Sequence, residues 1–374
     1  MENKKTIFDL YYEWWKNIDK FLFFLIIFLF ITGLFFSLVS TSLLASDKLE
    51  TNDYTFFFKH LTFVILGLVI IFVLSSINEE KLIKISPIIF ILSLFSLMLV
   101  PIIGVEVNSA QRWIDLYMLP RFQPIELVKP FLIILISLIL SNEKYNNVYL
   151  KYFFSFLLTL PIVLLLAAQP DIGQTLLILF NWSVLIFISG INIIFLITSS
   201  LIIFMMLYLS INFIPKFTYI KSRILSFFNT ETGTHNAQSE KAIDSITSGG
   251  FFGKGIGEGT LKNRVPEAHT DYIISVISEE FGVIAIILIL LLFLIFIYSV
   301  FKKVYLVQDE RTKLILVGCV SLILVQAMIH IGVNIRLFPT TGMTLPFISY
   351  GGSSIISISI LSGIILNLTK RRIN

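Results

Sequence analysis

The sequence predicts an all-α, polytopic membrane protein of about ten transmembrane helices, with a large extracytoplasmic loop between the seventh and eighth. Apolar residues fill 56% of its 374 positions and charged residues only 14%, about half the charged share of a soluble chain. Stretches of about 20 apolar residues also recur along the whole length. Spans are expected at 21–40, 57–75, 82–103, 124–140, 150–168, 172–189, 191–214, 272–300, 313–335 and 347–368. The first follows a charged, aromatic segment and reads as an uncleaved anchor rather than a signal peptide. The fourth opens just after Phe122-Gln123, the sixth after the tight turn Gln169-Pro170-Asp171, and the eighth after Thr270-Asp271. The tenth follows the two-proline stretch Pro339 to Pro346. All ten belong to one membrane domain, 1–374, whose largest extramembrane piece is the loop at about 215–271.

Ten spans put both ends of the chain on one side, and Lys and Arg say which. The end segments and the loops on their side hold fifteen, against five in the short loops of the opposite face, so the termini are expected to be cytoplasmic. The net charge of +4 is small and scattered, which argues against a nucleic-acid partner. A single cysteine, Cys319, excludes an internal disulfide, and the four histidines show no short metal-ligand spacing.

Chemistry is expected in the long loop, since loops of that length are usually functional or disordered. It has no strand signal and no obvious helical pattern. Six glycines fall between Gly249 and Gly259 around Lys254, a density that allows positive φ and close approach of N–H groups to a ligand. A flexible surface loop would look the same. It is not a Walker loop, because Lys254 is followed by Gly255. The loop ends in Pro266-Glu267-Ala268-His269-Thr270-Asp271. Thr270 is expected to cap the eighth span, with Asp271 at the first helical position, where the helix dipole favours a carboxylate. That could be its whole role. Yet Ser275, Ser278, Glu279 and Gly282 follow on the same side of the helix, and lipid would not tolerate such a stripe, so it is expected to line a hydrated cavity.

Other polar residues enter the membrane from the same face. Arg112, beside Trp113, offers a forked cation suited to phosphate. Glu126 and Lys129 lie one turn apart in the fourth span, where they either neutralise each other or serve a ligand. Gln169 and Asp171 flank a tight turn, and Asp171 is equally fit to cap the sixth span. Near the C-terminus, Leu345-Pro346-Phe347-Ile348-Ser349-Tyr350-Gly351-Gly352 joins prolines and small residues at membrane depth, as close helix packing also requires.

Taken in order, these strings resemble the SEDS family of shape, elongation, division and sporulation proteins over nearly the whole chain. The Pro266–Asp271 string and Thr341-Gly342-Met343-Thr344-Leu345-Pro346 look more like the division member than the elongation member. Ile125 stands where the family usually has Ser, and Thr341 where the division member commonly has Lys. The resemblance implies a peptidoglycan glycosyltransferase that polymerises lipid II on the outer side of the bacterial inner membrane, at the septum. Asp271 would be the base that activates the acceptor hydroxyl. Arg112, Lys129 and Lys254 would face the pyrophosphate, with Glu126, Gln169, Asp171, His269, Thr270, Ser349 and Gly351 shaping the substrate site. No cofactor is required, although a divalent cation, Mg or Mn, is allowed as a helper with Asp271 as a ligand. The implied partners are a class B penicillin-binding protein, supplying the transpeptidase in trans, and other divisome proteins. The alternatives are an elongation-type polymerase, a lipid II flippase and an inactive scaffold.

Overall fold

The structure, a computed structural model, describes residues 7–41, 54–107, 110–115, 120–145, 147–213, 221–222, 225, 227–228, 234–260, 265 and 267–370. Most of the first part of the long loop, and Pro266, lie outside the described residues. A backbone in hydrocarbon has no water to bond, so each apolar stretch satisfies its own N–H and C=O groups as a helix. The helices are α1 Ile7–Asn17, α2 Lys20–Thr41, α3 Thr55–Ser76, α4 Glu79–Ile103, α5 Pro124–Leu140, α6 Val148–Ala168, α7 Ile172–Ile188, α8 Ile193–Phe213, α9 Thr234–Gly249, α10 Ile273–Val304, α11 Glu310–Asn334 and α12 Gly352–Leu368. Every expected span is met by one of them. Six, namely α2, α3, α4, α6, α10 and α11, are long and apolar enough to cross a membrane by themselves, while α7 and α12 are apolar but shorter. Asn78, Asn147, Asp171 and Asp309 cap α4, α6, α7 and α11 by accepting a backbone N–H of the first turn.

Inner and outer helices differ in what they show to lipid. In α5, α11 and α12 nearly every side chain is buried, whereas α2, α3, α4, α6 and α10 turn Phe, Ile and Leu outward. Close approach of α3 and α12 depends on small residues: a Cβ on Gly67 would lie 2.3 Å from the Ser359 Oγ. On the face that carries both ends of the described chain, ion pairs tie helices together, Lys303 to Asp19 at 2.5 Å and Arg311 to Glu79 at 3.4 Å. The opposite face, here called the loop face, gathers the polar residues singled out above.

Three features on the loop face differ from the sequence reading. A short antiparallel hairpin, β1 Val105–Val107 and β2 Ala110–Trp113, stands between α4 and α5 and carries Arg112. The long loop contains a regular helix, α9, whose polar sequence hid an ordered surface helix. And α10 is broken at Gly282, which takes φ 75° and ψ −177°. The glycine-rich run wraps this break. Lys254 and Gly255 N–H groups donate to the carbonyls of Glu279 and Glu280, and the Val283 and Ile284 N–H groups donate to those of Gly250 and Phe251. Two carbonyls and two N–H groups that the break orphans are thereby satisfied.

Candidate active site

Five segments meet on the loop face: the β1–β2 hairpin, the first turns of α5 and α7, the turn 267–272, the last turns of α11, and the non-helical stretch 335–351 that leads into α12. Asp271 lies in the turn. The Glu267 carbonyl accepts the N–H groups of Thr270, Asp271 and Tyr272, with Glu267 at φ 54°, and the helix begins only at Ile273. Thr270 is therefore not the cap and Asp271 is not the first helical residue; the chain makes one more turn before α10 than the sequence suggested. Tyr272 holds the cap position, without a side-chain cap bond.

Neighbours fix this turn through its carbonyls. Asn334 Nδ2 donates to the Asp271 carbonyl at 3.0 Å, Ser349 Oγ to that of Thr270 at 2.7 Å, and the Tyr350 N–H to that of His269 at 3.1 Å. Asp271 itself is half-buried, with its Oδ2 beside Gly342, where an added Cβ would come within 3.5 Å. His269 packs its ring against Phe56 at 4.5 Å, and burial holds it below the usual histidine range, against the pull of Glu267.

A continuous polar network runs from Asp271 to Arg112. His330 and Asn334, one turn apart on α11, are both fully buried, and His330 Nδ1 lies 2.7 Å from the Met343 carbonyl. Since a carbonyl only accepts, Nδ1 carries the proton. Gln326, one turn further down, donates to the Thr344 carbonyl at 3.1 Å and accepts from Lys129 at 3.4 Å. Lys129 bonds Glu126 at 2.8 Å, Glu126 accepts from Gln174 Nε2 at 2.9 Å, and the Gln174 N–H donates to Asp171 at 3.3 Å. Asp171 in turn accepts from Gln123 Nε2 at 3.1 Å and lies 3.6 Å from Arg112. Burial pushes its carboxyl up from the usual range, opposed by the Arg112 charge. Arg112 closes the series on the carbonyls of Pro170, at 2.6 Å, and Gln169, at 3.4 Å, while Gln169 Nε2 reaches the Leu97 carbonyl.

Of the three cations expected to face a pyrophosphate, Arg112 and Lys254 remain partly open, their side chains 15% and 34% exposed, and Arg112 is the one beside the first turns of α5 and α7. Lys129 is wholly enclosed and neutralised by Glu126, which is the self-paired arrangement. Lys254 pairs with Glu279 at 3.2 Å beside the helix break. Nor does the stripe below Asp271 line water. Ser275, Ser278 and Glu279 are buried against α9, where Ser245 donates to Glu279 at 2.9 Å and Ser278 to the Ile246 carbonyl at 3.3 Å. The glycines of the clasp serve the same packing, since a Cβ on Gly253 would sit 2.1 Å from the Glu280 carbonyl. Gly351 is also a packing position, with its missing Cβ 2.8 Å from Thr344.

Sequence reasoning missed Gln123, Gln174, Gln326, His330, Asn334 and Thr344. Three of them were detectable: Gln326, His330 and Asn334 recur every fourth residue on an otherwise apolar helix, one polar line down one face. The Nε2 of His330, Oδ1 of Asn334 and Oγ1 of Thr341 are buried without a hydrogen-bond partner, leaving bonding capacity around Asp271 unused.

A family model described as cell cycle protein, FtsW/RodA/SpoVE, matches residues 19–374. A probable peptidoglycan glycosyltransferase FtsW of Caulobacter vibrioides is 30% identical over 96% of this chain and 91% of its own length. One from Wigglesworthia glossinidia brevipalpis is 33% identical over 100% and 98%. A chain from a peptidoglycan synthase complex, solved for the structural coordination of polymerization and crosslinking, superposes with a TM-score of 0.78 at 26% identity, covering 94% of this chain and 97% of that one. The Thermus thermophilus rod shape determining protein RodA does so with a TM-score of 0.68 at 27% identity, over 94% and 96%.

Proposed function

The chain belongs to the FtsW/RodA/SpoVE family of cell cycle proteins, and from this we propose that it is a peptidoglycan glycosyltransferase of the FtsW type, polymerising lipid II with Asp271 as the general base. The observation that carries the assignment of the base is the placement of Asp271: half-buried on the loop face, in a turn whose three consecutive carbonyls are held by α11 and by the stretch before α12. A base must be held within hydrogen-bond reach of the proton it removes, and this turn has little freedom to drift.

In the reaction the acceptor sugar's 4-hydroxyl attacks the anomeric carbon of the donor. Asp271 takes the hydroxyl proton, the new C–O bond forms, and the bond from the anomeric carbon to the pyrophosphate oxygen breaks. Undecaprenyl pyrophosphate leaves carrying the electron pair. Arg112, partly open on the hairpin beside the first turn of α7, faces the growing negative charge, while Glu126, Lys129, Gln169 and Asp171 brace the segments that hold it. His269 and Thr270 set the turn, and Lys254 stabilises the helix break rather than the leaving group. Among the described residues no three His, Cys, Asp or Glu side chains gather into a metal site. A divalent cation, if bound, would be held by Asp271 together with the pyrophosphate oxygens and would add charge stabilisation there.

The loop face is the outer face of the inner membrane, both termini are cytoplasmic, and the enzyme works at the division septum. A class B penicillin-binding protein crosslinks its product. Purified protein with that partner and labelled lipid II in detergent should give glycan polymer. If it gives none, while proteoliposomes move lipid II between leaflets, the chain is a flippase and the glycosyltransferase reading is wrong.

A further inference from the structure

The clasp that wraps Gly282 ends in side chains with no protein cover. Phe251 is 74% exposed, Phe252 82% and Ile256 63%, although the backbone beneath them is tightly held. Such a trio on an ordered loop calls for a medium that accepts it.

Its height on the molecule identifies that medium. The carbonyls of Gly250 and Phe251 accept the first two N–H groups of the lower part of α10, those of Val283 and Ile284, so the trio sits level with the top of that segment. From Val283 to Lys302 is a rise of roughly 28 Å at 1.5 Å per residue. Lys302 is exposed at the opposite end, where a lysine marks the water boundary. The hydrocarbon layer is about 30 Å thick. Val283 and the clasp therefore stand at the upper edge of the hydrocarbon. The outward side of α10 below them is apolar, with Ile284, Leu288 and Leu294 exposed.

We propose that Phe251, Phe252 and Ile256 form a wedge that enters the bilayer leaflet on the loop face, where acyl chains cover it. The wedge fixes the depth of the Gly282 joint, and through the short upper segment of α10 it sets the height of the Asp271 turn above the lipid. Lys254, next to the wedge and paired with Glu279, keeps the polar side of the clasp turned away from the chains. This inference does not depend on the reaction assigned above.

The test uses the full chain in liposomes. Cys319 is the one native cysteine and is buried, so introduced cysteines can be spin-labelled selectively. Labels at Phe252→Cys and, independently, Ile256→Cys are compared with Leu288→Cys on the lipid-facing side of α10 and with Asp244→Cys on the exposed side of α9. The ratio of collision with oxygen to collision with a water-soluble nickel complex should rise at 252 and 256 clearly above the Asp244 value, towards that of Leu288 deeper in the same leaflet. A ratio matching Asp244 at either site would overturn the wedge. Shielding from both reagents would overturn it as well, because a protein surface rather than lipid would then be the cover.

Discussion

Two Glu–Lys pairs sit on the loop face, one enclosed and one partly open, and they are built for different tasks. Glu126 and Lys129 are one turn apart on α5, both enclosed, and each bonds a glutamine from another helix, Gln174 of α7 and Gln326 of α11. Glu279 and Lys254 are far apart in sequence, and Lys254 keeps a third of its side chain in water. The first pair joins three inner helices under the site. The second closes a loop over a broken helix. Because a lone charge in the interior is so unfavourable, both lysines are held by acids, and neither is free for a ligand. A cation near a candidate site is therefore informative only once its acid has been found.

Breaking the enclosed pair should have the largest effect. Lys129→Met leaves Glu126 uncompensated and should lower stability by about 3–5 kcal/mol, while Glu126→Gln with Lys129→Met should recover much of the loss. Thermal unfolding in detergent reads both; equal losses in the single and double variants would show that the two charges are not coupled. Next comes the joint that the second pair guards. Gly282→Ala forces a side chain to φ 75° and against the Phe251 carbonyl, 2.2 Å away, and should cost about 3 kcal/mol. Gly250→Ala, at φ 57° with nothing within 4 Å, should cost only about 1–2 kcal/mol. Of the same size is Lys254→Met, about 1–2 kcal/mol, since Glu279 keeps Ser245 as a donor. Should Lys254→Met prove as damaging as Lys129→Met, the contrast between the pairs would fail.

The smallest effect is a pH dependence outside both pairs. Burial lowers the His269 pKa below its ordinary value of 6.5, so the unfolded chain binds the proton more readily than the folded one. Stability contributed by neutral His269 is then present above pH 6.5 and lost as pH falls below it. Thermal midpoints measured on either side of that value should show the drop, and His269→Phe, which keeps the packing against Phe56, should flatten it.

Much of this was legible in the residues. Apolar runs near 20 residues have one solution in lipid, so a helix at each of the ten expected places was predictable to within a few positions. Asp171 at a tight turn and Glu126 one turn before Lys129 were read with the pairing and capping they have. What failed depended on partners distant in sequence. The stripe Ser275, Ser278 and Glu279 looks the same whether it meets water or α9, and α9 itself was hidden because a surface helix with a polar composition lacks the apolar period that announces one. The glycine run suggested a ligand cradle, yet glycine equally permits one backbone to cross another closely, and only the break at Gly282 decides between them. The start of α10 was misplaced because the extra turn is closed by the carbonyl of Glu267, a residue with no turn signature of its own.

The role of Asp271 can be tested apart from folding, because three consecutive carbonyls of its turn are held by Asn334, Ser349 and Tyr350. Asp271→Asn should leave the thermal midpoint close to that of the parent protein and, with the transpeptidase partner and labelled lipid II present, abolish glycan polymer. A folded Asp271→Asn protein that still makes polymer of full length would contradict the assignment of this carboxylate as the base.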